Sequence, residues 1–125
     1  MIPGDSSLSR RVIGASIEVH GVLGPPLLES SYEECLALEL TWRGIPFTRQ
    51  HSIPVVYKGI RVNGLYRVDF LLQGLVVEVK AVEKILRVHE AQLLTYMRML
   101  NIPAGLLLNF NVPMMRDGIR RLTLR

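Results

Sequence analysis

Asp69, Glu78 and Lys80 are the residues of this chain whose types and spacing most invite chemistry. They bound the run Asp69-Phe70-Leu71-Leu72-Gln73-Gly74-Leu75-Val76-Val77-Glu78-Val79-Lys80, which reads as a β-hairpin turning at Gln73-Gly74. Side chains alternate faces along a strand, so Glu78 and Lys80 point the same way. A two-residue turn pairs Leu72 with Leu75 and sets Asp69 opposite Glu78. Val68, Phe70, Leu72, Leu75, Val77 and Val79 then form an unbroken apolar face. Like charges directly opposite destabilise a sheet by roughly 0.2–1 kcal/mol. One way to offset that is a bound metal ion. The other is a solvated sheet face on which Arg67–Glu78 and Asp69–Lys80 are diagonal ion pairs worth about 0–1 kcal/mol. The hairpin by itself leaves both readings open.

Two further groups of polar residues sit on helical patterns. His89, Gln92 and Tyr96 lie at i, i+3 and i+7 and share a helix face. Leu86, Leu93, Met97 and Leu100 form the neighbouring core stripe, which puts Gln92 and Tyr96 at the margin of the buried face. There a tyrosine and a glutamine can simply satisfy their own hydrogen bonds. Glu29 falls in the first turn of another helix, where a carboxylate suits the helix dipole. Glu29 and Tyr32, three residues apart, could flank one groove.

The elements that must carry these groups follow from changes of period. Ser6 to about Leu23 reads as a helix capped by Asp5, Ser6 or Ser7, with Val12, Ile13, Ile17, Val19 and His20 at helical spacing. Gly24-Pro25-Pro26 breaks it. Leu27 to about Arg43 is a second helix, with Leu28, Tyr32, Cys35, Leu36 and Leu40 inward and Gly44 as its stop. Phe47–His51 and Ile53–Tyr57 form one long or interrupted strand, and Lys58-Gly59 turns the chain. Val62–Leu72 and Leu75–Lys80 are strands, with Gly64 a candidate bulge. Val82 to Asn101 is helical, Ala104–Phe110 is a strand buried on both faces, Pro113–Gly118 is a loop, and Ile119–Leu124 is an edge strand or helical turn. The order α-α-β-β-β-α-β describes an α/β (α+β) fold with a mixed central sheet flanked by helices.

The 125 residues, 49% hydrophobic and 21% charged, describe one globular domain over residues 1–125 rather than a disordered chain. No apolar run is long enough to span a bilayer, and no secretion signal is read at Met1–Asp5. The single cysteine, Cys35, forms no internal disulfide and reads as an inert, apolar-flanked thiol. The expected compartment is the cytoplasm. A net charge of +4 permits a polyanionic partner without requiring one.

The order of the chemical groups resembles a known family. A helix glutamate, Asp69, Glu78-Val79-Lys80 and Gln92-x-x-x-Tyr96 on the next helix resemble the PD-(D/E)XK nuclease superfamily and its RecB- and Cas4-like branch. More narrowly, Ile17-Glu18-Val19-His20, the stretch from Gly24 to Glu34, Val77 to Glu83, and His89-Glu90-Ala91-Gln92-Leu93-Leu94-Thr95-Tyr96 resemble the small GxxExxY proteins. Pro26 replaces that pattern's glycine, and Val68-Asp69 stands for Pro-Asp. The resemblance implies a restriction-endonuclease-like core and a metal-dependent nuclease acting on nucleic acid, DNA in the first instance. It makes Asp69, Glu78 and the Val79 carbonyl ligands of Mg²⁺ or Mn²⁺, with Glu29 on the same ion directly or through water. It gives Lys80 the attacking water, Gln92 and Tyr96 the phosphate backbone or Lys80, and His89 and Tyr32 supporting places. So small a nuclease often needs a second subunit to grip a duplex, so a homodimer is compatible with it. The alternative is the same fold as a nucleic-acid- or protein-binding module, or as a structural subunit, without catalysis.

Overall fold

The computed structural model describes residues 7–124, apart from the side chains of residues 64 and 65. Two helices, α1 (Ser7–Leu23) and α2 (Glu29–Trp42), precede three strands, β1 (Thr48–Tyr57), β2 (Ile60–Leu72) and β3 (Leu75–Lys80). Helix α3 (Arg87–Leu100) then crosses to β4 (Ala104–Asn109), and a short 3₁₀ turn (Met115–Gly118) leads to β5 (Ile119–Thr123). The five strands lie in sequence order in one sheet. Only β3 and β4 are parallel, and α3 connects them. This is the α+β, mixed-sheet architecture of a restriction-endonuclease-like domain, as expected. Asp5 and Ser6, offered as caps for α1, lie outside the described residues.

The sheet divides two apolar layers. Val12, Ala15 and Val19 of α1 and Tyr32, Leu36 and Leu40 of α2 pack on Phe70, Leu72, Val77, Val79, Leu106 and Leu108. On the opposite face, Leu93, Tyr96 and Met97 of α3 pack on Ile53, Val68, Val76 and Leu107. Every residue of β4 is buried, as its continuous apolar run requires. Gly105 allows α3 to approach: a Cβ there would lie 2.6 Å from Met97 Sδ and 3.3 Å from both Leu93 methyls.

Three details depart from the expected pattern. Helix α3 starts at Arg87, not Val82. The Asn109 side chain accepts from the Val82 N–H at 3.0 Å and donates to its carbonyl at 2.9 Å, holding the segment after β3 out of the helix. Leu86 therefore precedes the first turn and is 51% exposed instead of joining the core stripe. Leu28 likewise precedes α2 and is exposed. The apolar face assigned to the hairpin is also divided, because Val68 enters the α3 layer while Phe70 through Val79 enter the other. Gln50, opposite Asp69, takes a left-handed φ of 53° in mid-strand and turns the β1–β2 ribbon there. Beyond it, the ribbon shifts register between Val62 and Tyr66, where Gly64 falls, and forms an arm that reaches α3.

Candidate active site

The β2–β3 hairpin has the expected register: Leu72 pairs with Leu75, Leu71 with Val76 and Phe70 with Val77. Gly74 supplies the turn with φ 72°. The ladder then opens, and the two carboxylates take over its hydrogen bonds. The Asp69 N–H donates to Glu78 Oε1 at 2.9 Å, and the Val79 N–H donates to Asp69 Oδ2 at 2.8 Å. Each acid thus satisfies a backbone donor on the other strand, and both are fixed at the fork where β2 and β3 part. Glu78 is only 6% exposed, which removes the solvated-face reading. Among the described residues, no ion pair joins Arg67 to Glu78 or Asp69 to Lys80.

Burial is the main cause that lifts both acids. It pushes Asp69 up to about 6, against the Val79 N–H, with the charges of Glu33 and Glu29 adding to the rise. It pushes Glu78 up to about 8, helped by the Asp69 charge and opposed by the Asp69 N–H and the Lys80 ammonium. Desolvation and like charges both favour the protonated forms.

Lys80 follows on the same strand face as Glu78, half-buried at the end of β3. Its carbonyl accepts from the Phe110 N–H at 2.9 Å, and its strand pairs with β4 as far as Asn109, so its backbone is fixed. Tyr96 is 7% exposed and reaches the site from α3. Burial and the nearby Glu78 raise its hydroxyl above the usual phenol range, and a hydrogen bond with Gln92 opposes them. The structure thus brings Asp69, Glu78, Lys80, Gln92 and Tyr96 together from two strands and a helix.

Glu29 stands apart. It is exposed at the start of α2 and acts on Asp69 and Glu78 through its charge. Among the described residues no group of three or more His, Cys, Asp and Glu side chains is arranged to hold an ion. The convergent oxygen donors are therefore the Asp69–Glu78 pair, and Glu29 acts on both through its charge alone.

Tyr32 does not share a groove with Glu29. Its ring is fully buried and stacks on Phe110 with centroids 4.7 Å apart. Its hydroxyl donates to the Gly24 carbonyl at 2.6 Å and accepts from the Leu27 N–H at 3.0 Å, which binds the turn between α1 and α2. His89 caps α3: Nδ1 accepts from the Leu86 N–H at 2.9 Å. Cys35 is a half-buried free thiol on α2.

Three site residues were not legible beforehand: Glu33, Arg49 and Gln50. Gln50 Nε2 donates to both oxygens of Glu33 at 3.0 Å and to Asp69 Oδ1 at 3.1 Å. Arg49 donates to Glu33 at 2.7 Å and to Glu34 at 2.6 Å. The two carboxylates hold Arg49 above its ordinary value despite some burial. This network ties α2 to the Asp69 side of the fork. Its one sequence signal was Glu33 standing four residues after Glu29, on the same helix face.

A sequence model of the PD-(D/E)XK nuclease superfamily matches residues 6–122. The chain belongs to that superfamily. No curated protein and no solved structure matches it. The matched span contains Asp69 and Glu78-Val79-Lys80. Superfamily membership supports a nuclease-type hydrolase in general, and with it a nucleic-acid substrate. PD-(D/E)XK nucleases generally use divalent metals, and this donor set fits one. Hard divalent cations take carboxylate oxygens, and a cation would favour the ionised forms that burial disfavours here. Among the described residues, no helix is long and apolar enough to cross a membrane.

Proposed function

We propose that the protein is a divalent-metal-dependent nuclease of the GxxExxY group that hydrolyses DNA phosphodiester bonds. The observation that carries this reading is the Asp69–Glu78 fork, with Glu78 buried and Asp69 half-buried, each acid bonded to the other strand's backbone, and Lys80 next on the same face as Glu78. Asp69, Glu78 and the Val79 carbonyl would hold Mg²⁺ or Mn²⁺, and Glu29 would reach the ion through water. Such an ion supplies a polarised scissile phosphate and a bound water of lowered pKa.

The chain's own residues do the rest. The backbone N–H groups of Asp69 and Val79 orient the two carboxylates before any ligand arrives. That preorganisation removes a reorganisation cost from the chemical step. Lys80 Nζ donates to the attacking water and offsets the charge that grows on the phosphoryl oxygens. Tyr96, held by Gln92, donates from its hydroxyl to a non-bridging oxygen or to the neighbouring phosphate. His89 and Tyr32 contribute by holding α3 and the α1–α2 turn in place.

The alternative is a binding module or structural subunit on the same fold. Its acids and lysine have no reason to converge, and a buried acid lifted to about 8 burdens such a protein without a return in function. The cytoplasm and a homodimer belong to the same proposal, and sedimentation with and without duplex DNA tests the latter.

The deciding experiment offers single-stranded, double-stranded and branched DNA to the purified protein with Mg²⁺ or Mn²⁺. Cleavage by the wild type that is lost in Asp69→Ala and Lys80→Ala is the expected result. No cleavage of any substrate, or equal cleavage by those variants, overturns the proposal.

A further inference from the structure

Tyr96 has a second neighbour besides the carboxylates. A cavity of ≈ 310 Å³ lies between the β1–β2 arm and α3, lined by Val55, Tyr66, Gln92, Thr95, Tyr96 and Met99. Tyr96 is the shared wall: its hydroxyl feels the charges of Glu78 and Asp69, and its ring lines the cavity. Tyr66 comes from the arm. Its ring lies 6.3 Å from that of Tyr96, with planes inclined at 53°, yet Tyr66 is 51% exposed. A tyrosine serving only the core would be covered. Polar groups stand at the margin. The Gln92 side chain is exposed, and the Thr95 hydroxyl accepts from Arg98 Nη2 at 3.2 Å, which keeps an exposed guanidinium beside the opening. Arg61 and Arg67 are exposed on the same arm.

An aromatic and aliphatic slot with an amide and a guanidinium at its margin, one side chain from a phosphate-cleaving centre, suits a base and its flanking phosphates. Base–aromatic stacking tolerates any sequence, because every base has a π face, while cations track the backbone. We propose that this cavity takes an unstacked nucleobase of the strand being cut, with Tyr66 as its stacking platform. The inference rests on the nuclease reading and adds to it a substrate requirement: the base beside the scissile phosphate must be single-stranded or frayed. A base inside a duplex is already stacked on both sides and cannot enter.

The test separates bases from phosphates. Binding to a short single-stranded oligonucleotide is compared with binding to an abasic strand of equal length and charge, without added divalent metal and at one salt concentration. The wild type is expected to prefer the base-bearing strand by about tenfold, within the range that stacking on one aromatic side chain gives. Tyr66→Ala should bring that ratio close to one, and Tyr66→Phe should preserve it. Thermal melting confirms that both variants fold. Equal affinity for the two strands, no measurable binding of either, or a ratio unchanged in Tyr66→Ala overturns the inference. So does a fully paired duplex that binds as tightly with the same dependence on Tyr66. A protein that cuts no DNA with Mg²⁺ or Mn²⁺ but keeps the tenfold ratio retires the nuclease reading alone and leaves the base pocket standing.

Discussion

Glu78 is the residue at which stability and chemistry conflict. Its side chain is buried and faces Asp69, and burial with the Asp69 charge pushes its carboxyl up to about 8. A pKa raised in the folded state means that folding binds the proton, so this contribution is complete below the unfolded pKa and is lost as pH rises through the folded one. Asp69, lifted to about 6, has the same sign. In chelator, these two acids are therefore expected to lower the melting temperature as pH climbs from about 5 to about 8. Mg²⁺ or Mn²⁺ should flatten that decline by binding the ionised pair. Scanning calorimetry across that pH range, with and without the ion, reads both effects, and a melting temperature that rises over the window contradicts the assignment. Glu78→Gln keeps an acceptor for the Asp69 N–H and removes the charge. It should melt higher than the wild type in chelator at pH 8, converge with it near pH 5, and lose cleavage.

Gln50 works at the same scale but acts through another residue. Its amide joins Glu33 to Asp69, so it sets the orientation of one carboxylate without touching the other. Outer partners of this kind typically cost about 10–100-fold in metal affinity or activity when removed. Gln50→Ala is expected to raise the metal concentration needed for half-maximal cleavage by that order. Gln50→Glu should do worse, since it adds a fourth acid beside Glu29, Glu33 and Asp69. Titrating activity against Mn²⁺ distinguishes this from a plain loss of stability, which would lower the plateau and leave the midpoint in place.

At the scale of elements, the site depends on where strands stop. The β2–β3 ladder must open after Phe70–Val77 for the carboxylates to enter it. The segment after β3 must stay extended, and Asn109 at the end of β4 holds it by bonding both backbone groups of Val82. The 3₁₀ turn packs directly against this residue: a Cβ on Gly118 would collide with the Asn109 carbonyl oxygen. Backbone cannot retreat as a flexible side chain can, so Gly118→Ala is expected to destabilise by about 1–3 kcal/mol. Chemical denaturation measures that loss. The same strain would move Asn109, so activity should fall further than the unfolded fraction explains. A variant as stable as the wild type would show that the turn shifts freely.

At the scale of the molecule, the two apolar layers share one sheet, and β4 is buried between them. Neither layer can lose its packing without exposing the other's strands. The chain should therefore unfold in a single cooperative transition, coincident by near-ultraviolet and far-ultraviolet circular dichroism. Two separated transitions would mean that the β1–β2 arm and α3 form a unit of their own. The site lies on the α3 side of the fork, yet Glu33 of α2 is tied to Asp69 through Gln50, so both layers must be intact for the acids to hold their spacing.

Much of this was legible from local pattern. Apolar period placed three helices and four strands and left Ile119–Leu124 as a strand or a helical turn, where the structure has β5; the Gln73-Gly74 turn set the register that brings Asp69 and Glu78 together, and the apolar run of β4 announced a strand covered on both faces. These are short-range consequences of period and turn chemistry, so the sequence alone determined them. Tertiary structure decided what depends on distant residues. Gln50 turns the β1–β2 ribbon and sends Val68 and Phe70 to opposite layers, which strict alternation could not foresee. Tyr32 and His89, read as neighbours of the chemistry, are committed to a turn and a helix cap. Glu33, Arg49 and Gln50 joined the site because α2 crosses the sheet beside Asp69. Above all, Asp69 and Glu78 were from the start either a ligand pair or a solvated face. The burial of Glu78 removed the solvated face, and burial is set by everything that packs around a residue rather than by its place in the chain.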